Sequence, residues 1–438
     1  MTSVRVFFEQ RLVGTIDVNK EGPGFTYDPG WLGLRGAFPI STRMPLRSER
    51  YSSDMFLPWA ANLLPESEQL RTLGQFLGMA AGDVIGLLSA IGGDTAGALS
   101  LGQPGRTASV HWRPMATPEA LERLIEELPN KPFLVGEEGV SMSLAGAQTK
   151  LPVAVDHAGC ICIPMNGSPS THILKPDSRR LPGGVQNEAF CLSLAKRLRI
   201  PTPEVTTGKA GDRTFLLAKR YDRTNVSGRW RRLHQEDFCQ ALGKPPSAKY
   251  ESNATGICGP TLKEMFEVAR QHVPTADIVR FLDMVVFNVL ACNTDTHAKN
   301  YSIMIRSSAA SLAPVYDVMC GAIWETITKN LAQKVAGEGR GDRLTGRHWR
   351  RFARECGLNS KQVLDRVGVL AKAVINEAAS AESEVAAMPA GGHEILARTR
   401  EAVERRAGNL LAQLPDLGGD TADETTQLID AQPASASA

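Results

Sequence analysis

The run Asn293-Thr294-Asp295-Thr296-His297-Ala298-Lys299-Asn300 puts a carboxylate, an imidazole, a cation and an amide into one loop after an apolar segment. Phosphoryl transfer uses a carboxylate that accepts or orients the nucleophile's proton, an amide or carboxylate oxygen for Mg²⁺, and a cation near the transferring oxygens. Asp295, Asn300 and Lys299 fit these roles in an Asp-x-x-x-x-Asn spacing. A second carboxylate, Asp317, ends the stretch 312–317, expected as a short strand that returns beside strand 301–305 and sets Asp317 next to Asn300. Mg²⁺ favours such a pair of hard oxygens, completed by water and phosphate. A metal-bound Asp-His pair for hydrolysis is the weaker reading, because His297 is the one nitrogen ligand nearby. Taken singly, each of these residues reads as a turn cap or a solvated charge.

Upstream, Lys175 ends an apolar strand, 171–174, and Glu188 lies near the start of the following helical pattern. A strand lysine paired with a helix glutamate is the arrangement that positions ATP phosphates in kinases. The small-residue run Ser143-Leu144-Ala145-Gly146-Ala147-Gln148-Thr149-Lys150 precedes the first strand of this region and can bring main-chain N–H groups close to phosphates, although it is neither a Walker A nor a GxGxxG motif. Gln235-Glu236-Asp237-Phe238 sits where a connector between lobes would offer main-chain hydrogen bonds to an adenine.

These residues need a frame that brings residues 143–188 against 293–317. Alternating strands around a turn at Glu9-Gln10-Arg11 are expected within 4–18, followed by Gly/Pro-rich loops and helical patterns such as 83–90. A linker with Gly102, Pro104 and Gly105 leads to a helix over 117–128 that opens on Thr117-Pro118-Glu119 and stops before Pro129. Strands are expected at 151–155, 160–164, 171–174, 204–207 and 214–219, with an amphipathic helix at 187–198 ended by Pro201. Beyond Arg232 the pattern turns helical, with candidates at 235–242, 262–272, 275–292, 348–356, 360–378 and 394–414. Strands first and helices afterwards predict an α+β chain with two lobes. The segment 415–438, rich in Asp, Thr, Ala and Ser, has little to bury and is expected to be disordered.

Bulk properties agree with that plan. At 438 residues the chain is long enough for two or three domains and a cleft between them. Its 42% hydrophobic and 22% charged residues are those of a water-soluble protein, and no apolar run nears the roughly 20 residues that span a bilayer. The first residues alternate like a strand and lack a basic then apolar leader, so a cytoplasmic protein without membrane contact is expected. Eight scattered cysteines, with Cys160 and Cys162 closest, read as reduced thiols. A net charge of +2 makes no large field for nucleic acid.

The motifs 143–150, 171–175, Asn187-Glu188, 233–240, Lys249-Tyr250-Glu251, 293–300 and 313–317 together resemble, in order and spacing, the HipA-like toxin kinases of type II toxin–antitoxin pairs. The likeness covers about residues 1–410. It implies a two-lobed protein-kinase-like fold with an additional N-terminal α/β subdomain and a mostly helical C-terminal lobe. The corresponding divisions are 1–105, 106–234, 235–414 and 415–438. It further implies ATP and Mg²⁺ as cofactors, with Asp295 as catalytic base in a loop shared with His297 and Lys299, and Asn300 and Asp317 on the metal. Lys150 and Lys175 would contact phosphates, Glu188 would position Lys175, and the loop Ala145, Gly146, Ala147, Gln148 would cover the nucleotide. Glu236 and Phe238 would line the adenine site. Self-inhibiting phosphorylation would fall on Ser143 or Ser141. The implied partners are a HipB-like helix-turn-helix antitoxin, operator DNA mainly through that antitoxin, and an aminoacyl-tRNA synthetase substrate such as glutamyl-tRNA synthetase. The arginines at 340, 343, 347, 350, 351 and 354 read as a solvated helix face, with DNA contact the alternative. Two other functions stay open at this point: a kinase-fold co-repressor, and a small-molecule phosphotransferase.

Overall fold

The structure, a computed structural model, describes residues 3–106 and 109–415. The tail expected to be disordered lies, from residue 416, outside the described residues.

The N-terminal strands alternate because every second residue is apolar: Val4 and Val6 of β1 (Ser3–Phe8) are buried while Ser3 and Arg5 face water. β1 pairs with β2 (Arg11–Asn19) through the turn at Glu9 and Gln10, and β4 (Leu99–Leu101) completes its other side. The loops expected after residue 18 contain a further strand, β3 (Gly22–Tyr27), on the edge of this sheet. Pro23 hides the strand in the sequence, yet an edge position accommodates it. Four helices follow: α1 (Pro29–Leu32), α2 (Ser53–Ala61) and α4 (Val84–Ile91) pack on the sheet, and α3 (Ser67–Leu77) reaches toward the next lobe. Asp83 caps α4 by accepting from the Gly86 N–H at 2.9 Å.

The second sheet is built from β5 (His111–Pro114), β6 (Leu151–Val155), β7 (Ile161–Met165), β8 (His172–Pro176), β9 (Val205–Ala210) and β10 (Arg213–Lys219), in the order β5-β7-β6-β8-β10-β9. Helix α5 (Pro118–Glu127) starts on a Thr117 cap, and α6 (Gly184–Arg197) is buried from Val185 to Ala195. That burial follows from its place between this sheet and two helices of the next lobe, α11 (Ser360–Ala386) and α12 (Ile395–Gln413). A hairpin of β11 (Arg223–Val226) and β12 (Arg229–Arg232) leads to the connector.

The connector departs from the expected helix at 235–242. His234–Asp237 is a strand, β13, paired with β14 (Ser302–Ile305), and the helix α7 begins only at Phe238 (Phe238–Leu242). A capping box sets this boundary: Asp237 accepts from the Gln240 N–H and the Gln240 side chain accepts from the Asp237 N–H. The expected division at 234/235 therefore falls inside β13. Below it, α8 (Leu262–His272), α9 (Thr275–Leu290), α10 (Gly346–Glu355), α11 and α12 form the helical lobe. In the stretch toward Asp317 only Ala310–Leu312 is a strand, β15, against β14, and residues 313–317 are irregular. The chain is thus an α+β, two-lobed kinase-like fold carrying an extra N-terminal α/β unit. No helix among the described residues is long and apolar enough to cross a membrane. On α10 and just before it, Arg343, Arg347, Arg351 and Arg354 are exposed, and Arg351 pairs with Glu355.

Candidate active site

A cleft of about 1000 Å³ opens where the two lobes and the N-terminal unit meet. Its floor is the loop after α9, which braces itself. The Asn293 side chain accepts from the Asp295 N–H at 3.1 Å, and the Asn300 amide donates to the Asp295 carbonyl at 2.9 Å. This leaves the Asp295 carboxylate free to face the cleft, where its Oδ1 accepts from the Tyr250 hydroxyl. Burial lifts the Asp295 carboxyl above its ordinary range; the Tyr250 hydrogen bond and Lys249 oppose that, while the negative Asp317 and Glu66 reinforce it.

Across the cleft, Lys175 leaves β8 and donates to Glu188 Oε1 on α6 and to Asp317 Oδ1, each at 2.6 Å. Burial alone would discharge this lysine, but Asp317 and Glu188 outweigh it and keep it charged. Asp317 sits at φ +58° and keeps 29% of its side chain exposed. Burial would push its carboxyl up, yet Lys175 and Lys150 hold it well below the usual carboxylate range. Lys150 is buried, and burial pushes its ammonium down to about 8. Gly146 sits at φ +103° in the turn over Lys150, a backbone conformation that favours glycine.

Of the residues expected from sequence, Ala145, Gly146, Ala147, Gln148, Lys150, Lys175, Glu188, Asp295, His297, Lys299, Asn300 and Asp317 all line this one cleft. Four do not. The side chains of Glu236 and Phe238 face away from it: β13 alternates, so its cleft side belongs to Gln235 and Asp237, and Phe238 opens α7 into the core. Phe238 is fully buried against Phe281, and Glu236 accepts from the Thr42 N–H at 2.8 Å. The expectation that Glu236 and Phe238 line an adenine site therefore falls to their main-chain groups. Ser143 is fully buried, with its hydroxyl donating to the Leu63 carbonyl at 2.8 Å. The half-buried Ser141 accepts from Gly93 N–H and donates to the Ala90 carbonyl.

Lys299 lies in the cleft wall but in a different role from the expected one. Its ammonium donates to the carbonyl and side-chain oxygens of Asn62 and to Asp237 Oδ2, so its donors are occupied and it cannot sit over transferring oxygens. His297 is buried with Nδ1 unpartnered, and burial with Lys249 and Lys299 nearby keeps the ring neutral. Sequence reasoning missed Asn62, Glu66 and Gln69, which reach the site from the N-terminal unit; no motif marks them. It quoted Lys249-Tyr250 without giving them a role, although Lys249 pairs with Glu66 at 2.6 Å and Tyr250 holds the base.

A strand lysine bridged to a helix carboxylate, facing a loop with Asp and Asn across an interlobe cleft, defines the class of protein-kinase-like phosphotransferases. The chain belongs to the HipA-like kinase family: residues 142–378 match the HipA-like C-terminal domain and residues 4–102 the HipA N-terminal domain. It is 35% identical to the protein Y4mE of Sinorhizobium fredii, covering 83% of this chain and 88% of that one. It is 31% identical to the serine/threonine-protein kinase toxin HipA of Shewanella oneidensis, over 71% of this chain and 73% of the toxin. Among solved structures it resembles Shewanella oneidensis HipA in complex with HipB and operator DNA, with a TM-score of 0.81, 26% identity, and 94% and 98% of the two chains covered.

Proposed function

We propose that this chain is a toxin kinase that moves the γ-phosphoryl group of ATP onto a serine or threonine hydroxyl of a protein. The observation that carries this reading is Lys175 bridging Glu188 and Asp317 in the same cleft that holds Asp295 and Asn300. Asp295 would take the proton of the attacking hydroxyl in the place now filled by the Tyr250 hydroxyl, while ADP departs. Lys175 and Lys150 would orient the phosphates, and the main chain of 145–148 would close over them.

The donor set suits Mg²⁺: Asn300 uses its amide N–H₂ on the Asp295 carbonyl, which leaves its side-chain oxygen, and Asp317 has only Oδ1 engaged by Lys175. Asn300 and Asp317 would hold the ion, which would supply neutralisation of the charge that develops on transfer.

The likeness to HipA solved with HipB and operator DNA supports a HipB-like antitoxin on operator DNA as the partner, and the motif resemblance alone suggests an aminoacyl-tRNA synthetase, glutamyl-tRNA synthetase first, as the substrate. Self-inhibition at Ser143 or Ser141 fits the same reading. A phosphate, adding about two negative charges, cannot occupy the seat of Ser143 against the Leu63 carbonyl, so 141–148 must leave its place for the modified form to persist. Intact mass after incubation with ATP and Mg²⁺ tests the proposal. Phosphate gained by the wild type and absent in Asp295→Asn is the expected result; gain in both would sink the assignment of the base.

A further inference from the structure

The N-terminal unit meets the cleft chiefly through the segment around α3, from Asn62 to Thr72. Asn62 binds Lys299, Leu63 accepts from Ser143, and the Gln69 side chain donates to the Ala147 carbonyl at 2.9 Å. Between them, Glu66 reaches both halves of the site. Its main-chain N–H donates to the Gly146 carbonyl of the phosphate loop at 3.1 Å, beside a bridge from Pro65 to the same glycine. Its carboxylate takes the Lys249 ammonium at 2.6 Å and lies 3.8 Å from Lys299. Lys249 in turn accepts the Ala298 N–H of the catalytic loop on its carbonyl at 3.2 Å, and its neighbour Tyr250 holds Asp295.

Glu66 is buried, and its Oε1 has no hydrogen-bond partner, so this oxygen acts on the two ammonium groups through space. Unpaired, a buried Lys249 would seek the nearest carboxylate, and Asp295 is within its field.

We propose that Glu66 is a positioning residue for phosphoryl transfer: it neutralises Lys249 and Lys299 and ties the catalytic loop to the phosphate loop, which makes the N-terminal unit a working part of the active site. This inference rests on the kinase reading.

Glu66→Gln keeps the shape and the main-chain bond to Gly146 and removes only the charge. In the full-length chain it should lower kcat for phosphate transfer by about ten- to a hundredfold, with KM for ATP little changed. Because Glu66 acts through Lys249, Glu66→Gln/Lys249→Met should be no slower than the worse single variant. Wild-type kcat, or losses that multiply in the double variant, would overturn the proposal. So would a lowered melting temperature as the sole change. Hydrogen exchange on the same proteins separates this inference from the reading beneath it. A wild type that transfers no phosphate overturns the kinase reading. Exchange across 293–300 then decides the clamp: faster in Glu66→Gln supports it, unchanged rejects it.

Discussion

Two clusters of buried charge, one at Lys175 and one at Asp94, look alike in composition and differ in what their carboxylates have left to bind. At the second, Asp94 accepts from Arg223 at 2.7 Å and from the Ser170 hydroxyl and N–H, while Asp222 accepts from Arg220 and the Gly97 N–H. Arg232 adds a third cation 3.2 Å from Asp94. Every carboxylate oxygen there is engaged, and Arg223, Arg232 and Arg220 hold Asp94 far below the ordinary range against the effect of burial. This cluster joins the 93–97 loop of the N-terminal unit to the strands of the next lobe, and its carboxylates have nothing left to offer a cation. At the first, Asp317 is engaged by protein on one oxygen only, Lys150 is buried and part-way to discharge, and both open on the cleft. Saturated buried charge fixes architecture, and partly compensated charge is kept for a ligand to complete.

The contrast can be broken from either side. The largest effect is expected at the base: Asp295→Asn should cut phosphate transfer by up to about 10⁴-fold while the melting temperature holds, read by intact mass and thermal unfolding. At the saturated cluster, Asp94→Ala should instead cost about 3–5 kcal/mol in urea unfolding, because it strands Arg220, Arg223 and Arg232 in the interior. An Asp94 variant of wild-type stability would dissolve the distinction.

Glu236 lies between the two cases. Burial pushes its carboxyl up to about 7, and its Oε2 has no partner. Because the folded value exceeds the unfolded one, the stability from the protonated form is full at acid pH and is lost as pH rises through about 7. Glu236→Gln should therefore gain roughly 2–3 kcal/mol on the wild type between acid and mildly alkaline solution. Equal differences at both pH values would remove Glu236 from this group.

The smallest effect belongs to Lys150. As its ammonium discharges near about 8, Mg-ADP affinity measured by calorimetry should fall. The fall should be about tenfold from neutral to two pH units above, and Lys150→Met should flatten it.

Much of the site was legible because its residues are close in sequence and chemically unusual. The loop at 293–300 concentrates groups that a connecting loop does not need, and Lys175 and Glu188 sit on elements whose periodicity is plain. Strands 151–155 and 214–219 and helix 262–272 fall within a residue of where the patterning puts them. Helix 360–378 runs on to Ala386, since nothing in 379–386 breaks it. The connector was misread because 235–242 has apolar spacing that suits a helix, whereas pairing with β14 and the Asp237 cap decide otherwise.

The amino-acid sequence by itself determined the order of strands and helices, the Asp-x-x-x-x-Asn loop, the lysine–glutamate pair and, through its motifs, the HipA-like family. Tertiary structure alone decided that Lys299 serves Asn62 and Asp237, that the Glu236 and Phe238 side chains turn from the cleft, and that Glu66 meets Lys249 behind its wall. The reason is range. Periodicity and capping act over a few residues, so they are written locally. A charge finds its partner across more than 180 residues only once the chain has packed, as Glu66 finds Lys249.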